Sequence, residues 1–427
     1  MISDPEYILQ TGALGTFWST SSLQGSATPA EAEIDRNLDF LFYFYREHVF
    51  RRNWYGFWDH GDIMHTYDGD RHTWCYDIGG YAWDNSELSP DLFFWLYFLR
   101  TSREDAYRLA EALTRHTGEV DVYHTGPLKG LGTRHGVQHW SDSCKQARIS
   151  NALYRWIFFY LTGGDERTGE MIEETLSAET AFLMLDPYRK VRQGKEVYKP
   201  TAGAVSISLG TDWPAFAAAW FIAWERRTVG WESMKEKLNN SMRGISCLSN
   251  GFVTRMALYD ICTGRINTPA NDPSNLGVVK VSHLSAMFGL FEICSVLIDT
   301  IAGDLPKGFE EVWLDYCLYF NAAADDQLRR YRVGSGNLKL RQGHSRLTAY
   351  AASILGESSL AQRAWKEFYT GDGYTPDLPW NSQLVAGCVV PVPIEEASWI
   401  STNISSLYGL AAIQNVALTR RYLGDER

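Results

Sequence analysis

Histidines, aspartates and aromatic residues are concentrated in one stretch of the sequence, Tyr55–Trp140. It contains seven of the ten histidines, together with many tryptophans, tyrosines and aspartates that are interrupted by glycines. A segment that only filled a core would not combine so many ionisable and polar aromatic side chains in irregular order. We therefore interpret this stretch as the wall of an active site.

Basic residues gather towards the end of the same region, in a protein whose net charge is −11. Lys129, Arg134, Lys145 and Arg148 have only Asp142 of opposite charge beside them. Arginine offers a planar fork of donors that matches a carboxylate, so the cluster indicates a binding site for an acidic group. The alternative is that these cations pair with acidic residues of neighbouring loops.

Histidine and tyrosine close to an arginine cluster favour proton abstraction next to a carboxylate. The C5 hydrogen of a uronic acid becomes removable when the carboxylate is neutralised, and a histidine has a suitable pKa to act as base. The expected reaction is β-elimination. The alternative is glycoside hydrolysis by two carboxylates. The acidic candidates for that chemistry are Asp59, Asp62, Asp77 and Asp84, or Glu119 with Asp121.

The run from Asp59 to His72 also contains enough histidines and aspartates to ligate a metal. The candidate ligands are Asp59, His60, Asp62, His65, Asp68, Asp70 and His72. Their spacing matches no strong metal motif, so we predict no cofactor, with a divalent cation as the alternative. The sequence contains no P-loop, dinucleotide fingerprint, nucleophile elbow or CxxC motif.

Apolar periodicity predicts the elements that position these residues. Twelve helices are expected, at about 32–50, 88–101, 103–118, 145–162, 165–185, 212–228, 231–246, 281–301, 307–323, 343–355, 358–369 and 402–423. Short and long connections alternate between them, which places all long loops at one end. This pattern predicts an all-α fold in which six helical hairpins close into an (α/α)6 toroid, with an open α-solenoid as the alternative. Residues 1–30 are expected to form an irregular arm, and 31–427 one toroid domain.

Charge and amino-acid composition limit the classes of partner that the protein is expected to bind. The negative charge argues against a nucleic acid, and the longest apolar runs are too short to span a membrane. An aromatic content of 14%, with 16 tryptophans and 23 tyrosines, suits the mixed polar and apolar faces of sugars. Seven scattered cysteines and the lack of a signal peptide predict a cytoplasmic protein, or a secreted one if the true start lies upstream. The sequence does not indicate an oligomeric state.

Three long runs carry a resemblance to a known family. They are YGFWDHGDIMHTYDGDRHTWCYDIGGYAWDNSELSPDLFFWLYFLRT, AEALTRHTGEVDVYHTGPLKGLGTRHGVQHW and KQARISNALYRWIFFYLTGGDERTG. Over about residues 50–170 the sequence resembles the C-terminal toroid of the exo-rhamnogalacturonan lyase family, which includes polysaccharide lyase family 26 and the YetA-like proteins. The resemblance implies an (α/α)6 toroid and β-elimination at galacturonate linked to rhamnose, with an acidic oligo- or polysaccharide as substrate.

The same resemblance implies roles for residues of these motifs. The acid–base candidates are His72, Tyr76, His135 and His139. Arg71 and Arg134 are the expected carboxylate binders, and the further substrate-binding candidates are Asp59, His60, Trp83, Lys129 and Trp140. We expect two loops to meet over the funnel, so that Arg71 and His72 face the RHGVQHW motif. Members of this family carry β-rich domains beside the toroid, and this sequence begins almost directly at the toroid.

Overall fold

The computed structural model describes residues 4–20, 27–52, 63–64, 66–68, 73–75, 83–84, 88–119, 121–132, 147–185, 204–254, 257–267, 282–332, 338–376, 382–386, 392–396 and 402–423. Their helices are α1 (Pro5–Thr11), α2 (Pro29–Arg52), α3 (Pro90–Thr101), α4 (Glu104–Glu119), α5 (Leu153–Leu161), α6 (Glu166–Ser177), α7 (Trp213–Arg226), α8 (Trp231–Cys247), α9 (Leu290–Ile301), α10 (Phe309–Tyr319), α11 (Ala324–Tyr331), α12 (Arg341–Leu355), α13 (Ser358–Thr370) and α14 (Thr402–Thr419).

Short antiparallel strands accompany the long connections between the helices. They are β1 (Ile63–Met64), β2 (Thr66–Asp68), β3 (Thr73–Cys75), β4 (Trp83–Asp84), β5 (Ala204–Ile207), β6 (Ala257–Asp260), β7 (Ile266–Asn267), β8 (Ser382–Ala386) and β9 (Val392–Glu396). Strands β5, β6 and β7 form one three-stranded sheet, and the others pair as β1 with β4, β2 with β3, and β8 with β9. The four strands within the Tyr55–Trp140 stretch set Met64 opposite Trp83 and Asp68 opposite Thr73.

The helices form two concentric layers. The inner layer is α3, α5, α7, α9, α12 and α14, and the sequence explains its position. Trp213–Trp224 of α7 are buried throughout, because this run carries apolar side chains on every face. The outer helix α4 is amphipathic instead: it buries Leu109 and Leu113 and exposes Glu104 and Arg108.

In two of the hairpins, a tryptophan of the inner helix is hydrogen-bonded to the outer helix. The Trp95 indole donates to Thr114 Oγ1 at 2.8 Å, and the Trp213 indole donates to Ser241 Oγ at 3.0 Å. Neighbouring inner helices contact one another through aromatic rings, such as Trp95 with Phe158 at 5.8 Å between centroids. A buried tryptophan that keeps a hydrogen-bond partner fills volume without leaving its N–H unsatisfied.

The last inner helix closes the ring against the first. Gly409 of α14 lies against Phe93 of α3 so closely that an added Cβ would stand 2.1 Å from the phenyl ring. On the other side of α14, the Asn37 amide of α2 donates to Tyr408 Oη at 3.0 Å. Arg420 forms an ion pair with Glu31. These contacts confirm the closed toroid and exclude the open solenoid.

The described part of the expected irregular arm, residues 1–30, contains one short helix, α1, and otherwise little regular structure. Asp4 caps α1 by accepting from the Glu6 amide at 2.8 Å, and Phe17 and Trp18 belong to the main core. The Arg100 guanidinium lies 4.3 Å from the Trp18 ring and donates to Asp35 at 2.7 Å. The arm therefore packs on the end of α3. Although its composition is mainly polar, its two aromatic side chains carry enough apolar surface to favour burial.

Two inner helices begin later than expected, and two short helices, α1 and α11, were not predicted. Residues 147–152 and 282–289 form turns before α5 and α9 rather than helix. In the second segment, Ala286 and Gly289 adopt positive φ angles of 66° and 78°, which interrupt a helix. Helix α11 occupies a segment that we predicted to be a connection. None of the described helices is both long enough and apolar enough to cross a membrane. Cys247, Cys262, Cys294 and Cys317 are free thiols.

We predict that Gly409→Ala destabilises the ring closure. The added methyl group must displace the Phe93 ring, at a cost of about 1–3 kcal/mol, which exceeds the helix-propensity gain of about 1 kcal/mol. The control is Gly303→Ala, because nothing lies within 4 Å of a Cβ at that position. Urea unfolding should show a lower midpoint for Gly409→Ala alone. Equal midpoints for the two variants would contradict the closure described above.

Candidate functional site

The long connections and the amino-terminal ends of the inner helices lie at the same end of the ring, which we call the mouth end. The short turns within the hairpins, such as Thr162–Asp165 between α5 and α6, lie at the opposite, back end. All six inner helices therefore direct the positive ends of their dipoles towards the mouth end. This arrangement favours a ligand with negative charge.

Backbone strain is concentrated at the mouth end. Leu88 and Ser89 before α3, Ala286 before α9 and Leu340 before α12 adopt left-handed φ angles between 59° and 66°. Such conformations cost a residue with a side chain roughly 1–2 kcal/mol, and they cluster at functional sites. The other described cases, Ser102, Arg227 and Arg332, follow helix ends, where left-handed residues are ordinary. The strain therefore marks the mouth end as the candidate functional site.

A small apolar cluster, which we call the plug, lies at the mouth end of the ring. We define it by Leu88, Ile149, Met287, Phe288 and Leu407, which are buried against one another and apart from the main core. These side chains come from the segments before α3, α5 and α9 and from the first turns of α14. The plug is consequently held by several elements that are far apart in sequence.

Polar side chains around the plug hold its backbone. The Ser89 hydroxyl donates to the Met287 carbonyl oxygen at 2.9 Å and lies 3.2 Å from the Tyr154 hydroxyl. The Asn151 amide donates to the Phe288 carbonyl oxygen at 2.9 Å. Burial raises the pKa of Tyr154, so this phenol stays protonated at neutral pH. The carbonyl groups of the plug are thus satisfied by fixed donors.

Arg148 brings a positive charge to this floor. Its guanidinium lies over the Phe288 ring, 4.7 Å from the centroid, and the side chain is half-buried. The charge is close enough to act on Tyr154, whose pKa it lowers against the larger effect of burial. Arg148 belongs to the basic cluster identified in the sequence. A guanidinium held against an aromatic ring is restrained in position, which suits it to bind a carboxylate.

Most of the site residues expected from the sequence lie outside the described residues. These are Asp59, His60, Arg71, His72, Tyr76, Arg134, His135, His139 and Trp140. Of the rest, Trp83 lies in β4, and Lys129 is exposed in a turn at the mouth end. That turn is fixed by Gly130, which donates to the Tyr123 carbonyl oxygen at 2.8 Å. The expected meeting of the two loops stays a prediction.

The acidic pair Glu119 and Asp121 does not suit glycoside hydrolysis. Arg167 bonds both carboxylate oxygens of Glu119, at 2.8 and 2.9 Å, and holds the pKa of that carboxyl below its usual value. A general acid in a glycosidase needs the opposite shift. His124 links the same segment to the outer layer, since it lies 2.8 Å from Glu174 and 2.9 Å from the Glu119 carbonyl oxygen. We therefore assign this segment a structural role.

The run Arg341–Arg346, at the start of α12, is a polar feature that the sequence interpretation missed. His344 is fully buried, and its Nε2 lies 2.9 Å from the His283 carbonyl oxygen. Burial lowers its pKa to about 3, with Arg346, His283 and Arg341 adding like-charge repulsion. His344 is consequently neutral at physiological pH. The signal was present as charged and polar residues at the start of a predicted inner helix.

Among the described residues, no three histidine, cysteine, aspartate or glutamate side chains form a cluster that could hold a metal ion. The metal alternative proposed for the Asp59–His72 run falls mainly on residues that the structure does not describe. For that run the choice between hydrogen-bonded cleft residues and metal ligands therefore stays open.

Comparisons with known proteins agree with the fold. The model of a protein family described as the PcRGLX-like protein C-terminal alpha/alpha toroid domain matches residues 1–424. The uncharacterized protein YetA of Bacillus subtilis (strain 168) is 34% identical over 441 residues. That alignment covers 100% of this chain and 47% of YetA, so the chain spans about half the length of this relative.

We predict that His344 makes stability fall on acidification. The unfolded state binds a proton near the ordinary pKa of about 6.5, whereas the folded state does so only near 3, so stability is lost as the pH falls between these values. Between about pH 6.5 and pH 5 the wild type should lose about 1–2 kcal/mol more than His344→Asn. Urea unfolding at several pH values measures this difference.

The matched control for the pH series is His283→Asn, which replaces an exposed side chain and keeps the carbonyl group that faces His344. This control should retain the pH dependence of the wild type. Parallel stability curves for the wild type and His344→Asn would contradict the assignment of a buried, neutral histidine.

Proposed function

The chain belongs to the PcRGLX-like C-terminal alpha/alpha toroid family, and from this premise we propose that it is a polysaccharide lyase. The proposed substrate is a rhamnogalacturonan-type chain that contains uronate, and the proposed reaction is β-elimination. The observation that carries the proposal is Arg148, a half-buried cation that lies over the Phe288 ring at the floor of the mouth. A uronate carboxylate is the acidic sugar group that such a guanidinium would neutralise.

The proposed reaction needs three groups at one sugar ring. A cation neutralises the carboxylate, a base removes the C5 proton, and an acid protonates O4 as the C4–O4 bond breaks. The electrons of the C5–H bond become the C4–C5 double bond of the product. Arg148 supplies the first of these groups in our proposal, with Arg71 and Arg134 as further cations.

We propose that His72, His135, His139 and Tyr76 provide the base and the acid. A histidine suits the base because its ordinary pKa is near neutral, and a tyrosine or a second histidine suits the acid. Asp59, His60, Trp83, Lys129 and Trp140 are proposed to contact the substrate. The dipoles of the inner helices support the same chemistry, because their positive ends stabilise the charge that develops on the carboxylate.

Strain and rigidity at the floor also support the proposal. The left-handed residues before α3, α9 and α12 and the hydrogen bonds of Ser89 and Asn151 fix the plug on which Arg148 rests. A group held in place before the substrate arrives costs little reorganisation during the reaction. Glycoside hydrolysis has less support, since Glu119 is paired with Arg167.

We predict that Arg148→Ala lowers kcat/KM on rhamnogalacturonan I by about 10²–10³-fold, because the carboxylate loses its fixed cation. The near-ultraviolet absorbance of the unsaturated uronyl product measures the rate. Arg226→Ala is the matched control, since Arg226 lies over Phe159 at 4.5 Å and belongs to the back end. An unchanged rate for Arg148→Ala would remove Arg148 from the mechanism.

We also predict that His135→Ala or His139→Ala abolishes turnover while the fold is retained. Loss of the base or the acid removes a proton transfer that is worth about 10²–10⁴-fold. Circular dichroism and thermal melting verify the fold of each variant. If both variants retained the wild-type rate, the assignment of these histidines would be wrong.

The same assay separates the remaining functions. New reducing ends without the absorbance of an unsaturated uronide would indicate a glycoside hydrolase, including one that acts on unsaturated uronides. Saturable binding of the polysaccharide without either signal would indicate a non-catalytic sugar-binding toroid.

A further inference from the structure

A cavity of about 190 Å³ lies among the inner helices, and we call it the axial cavity. Side chains of α3, α5, α9, α12 and α14 line it, together with residues 14–16 of the arm. On α9 the lining residues run from Phe291 to Asp299. Eight residue steps of helix span about 12 Å, so the cavity extends along the ring axis.

The axial cavity opens at the back end. Thr16, Asp299 and Ile354 line it and are exposed, whereas Leu92 and Ile157 line it and are buried. Asp299 and Ile354 lie near the carboxyl-terminal ends of α9 and α12, away from the long connections. None of the five residues that define the plug lines this cavity. The axial cavity is therefore separate from the candidate site at the mouth.

Aliphatic side chains form much of the cavity lining. Leu92 and Leu96 of α3, Ile157 of α5 and Val296 of α9 line it, and we call these four residues the apolar wall. All four are buried in the protein. A hydrocarbon chain that covers such surface is stabilised by about 25 cal/mol for each Å² removed from water. The apolar wall therefore suits an aliphatic chain.

Asp299 carries the one uncompensated charge among the described residues that line the cavity. Glu292, the other acidic lining residue, is paired with Arg346 at 2.6 Å. In the described part of the chain, no basic side chain lines the cavity, and none forms an ion pair with Asp299. Burial raises the pKa of Asp299. Its carboxylate is thus partly removed from water without a cation that offsets the cost.

The helix dipoles favour positive charge at the same end. Asp299 lies in the last turn of α9. The carboxyl-terminal ends of all six inner helices lie at the back end, and such ends carry partial negative charge. A cation beside a helix end of this kind is stabilised by about 0.3–1 kcal/mol, whereas a carboxylate is not. The ring that favours an anion at the mouth therefore favours a cation at the back.

Two hydroxyl groups lie beside this carboxylate. Tyr350 and Ser353 line the cavity from α12, and their spacing of three positions places them on one face of the helix. Burial is the main cause of the raised pKa of Tyr350, and the Asp299 carboxylate contributes to it, so the two groups are close. Neither hydroxyl group has a hydrogen-bond partner among the described residues, and both are accessible. Both oxygens can therefore accept from a ligand.

We propose that the axial cavity binds a primary amine with a short aliphatic chain, in its ammonium form. An ammonium group has three N–H donors, which match the acceptors of Asp299, Tyr350 and Ser353. The chain extends inwards along the apolar wall. The cavity is smaller than the roughly 300–1,000 Å³ of pockets for drug-sized ligands, which limits the occupant to a small molecule. This inference is independent of the lyase activity proposed for the mouth.

The test is a titration of the full chain with three compounds that share one chain and differ in the head group. They are n-butylammonium, butan-1-ol and butanoate. Calorimetry and saturation-transfer NMR measure the binding. We expect one saturable site for n-butylammonium, binding of butan-1-ol that is weaker by tenfold or more, and no detectable binding of butanoate. Arg148→Ala should leave the binding of n-butylammonium unchanged, because Arg148 lies at the mouth.

Asp299→Asn should weaken the binding of n-butylammonium by tenfold or more, because it removes the charge and keeps the shape of the side chain. The matched control is Asp304→Asn, since Asp304 lies at the same end but outside the cavity lining, where it pairs with Lys235 at 3.0 Å. Tyr350→Phe is the second variant, and it should lower the affinity several-fold through loss of one acceptor. Thermal melting verifies the fold of each variant.

Three results would overturn the proposal. The first is a lack of saturable binding of n-butylammonium. The second is binding of butan-1-ol or butanoate as tight as that of n-butylammonium, which would show that the cavity does not select a cation. The third is an unchanged affinity for n-butylammonium in folded Asp299→Asn, which would place the amine at another site.

Discussion

Closure of the ring between α14 and α3 is the constraint on which the rest of the structure depends. The backbone of Gly409 lies so close to the Phe93 ring that there is no room for a side chain at position 409. The Asn37–Tyr408 hydrogen bond and the Arg420–Glu31 ion pair then fix α2 outside α14. Because the last inner helix meets the first, all six inner helices share one axis and present their amino-terminal ends together.

A shared axis explains how the mouth end combines an apolar floor with positive charge. Segments before three different helices contribute to the plug, and their left-handed residues and polar side chains fix its backbone. Arg148 rests on this plug through Phe288. The hydrogen bonds of the floor join segments that are more than one hundred positions apart, such as the Ser89 hydroxyl and the Met287 carbonyl group. Only the closed ring brings these segments together.

The architecture could be predicted from the sequence because it depends on local patterns. Fully apolar helices such as α7 alternate with amphipathic ones such as α4. Together with the alternation of short and long connections, this pattern predicted the toroid. The segment 282–289 was expected to be helical because its apolar residues suggest a helix. Its positive φ angles accompany contacts with residues far away in sequence, since the Ala286 amide donates to the Gly210 carbonyl oxygen and Gly289 lies against Asn151. The arm was expected to be irregular because the burial of Phe17 and Trp18 depends on long-range packing, such as that of Arg100 over the Trp18 ring.

The candidate site was less predictable than the fold. Arg148 was found as one member of a basic cluster, but its contact with Phe288 joins residues that lie 140 positions apart. His344 was overlooked because most histidines lie elsewhere, and its neutral state follows from burial that no local pattern shows. Glu119 was a candidate acid by residue type, and only the position of Arg167 revealed it as an ion-pair partner.

The most direct test of the central claim, that the mouth acts on a sugar carboxylate, compares two forms of one polysaccharide. Rhamnogalacturonan I and the same polymer with its carboxyl groups reduced to alcohols are incubated with the protein, and near-ultraviolet absorbance and reducing ends are followed together. We predict that absorbance and reducing ends rise together with the native polymer and that neither rises with the reduced one. Equal release of reducing ends from both polymers, without absorbance, would contradict the claim.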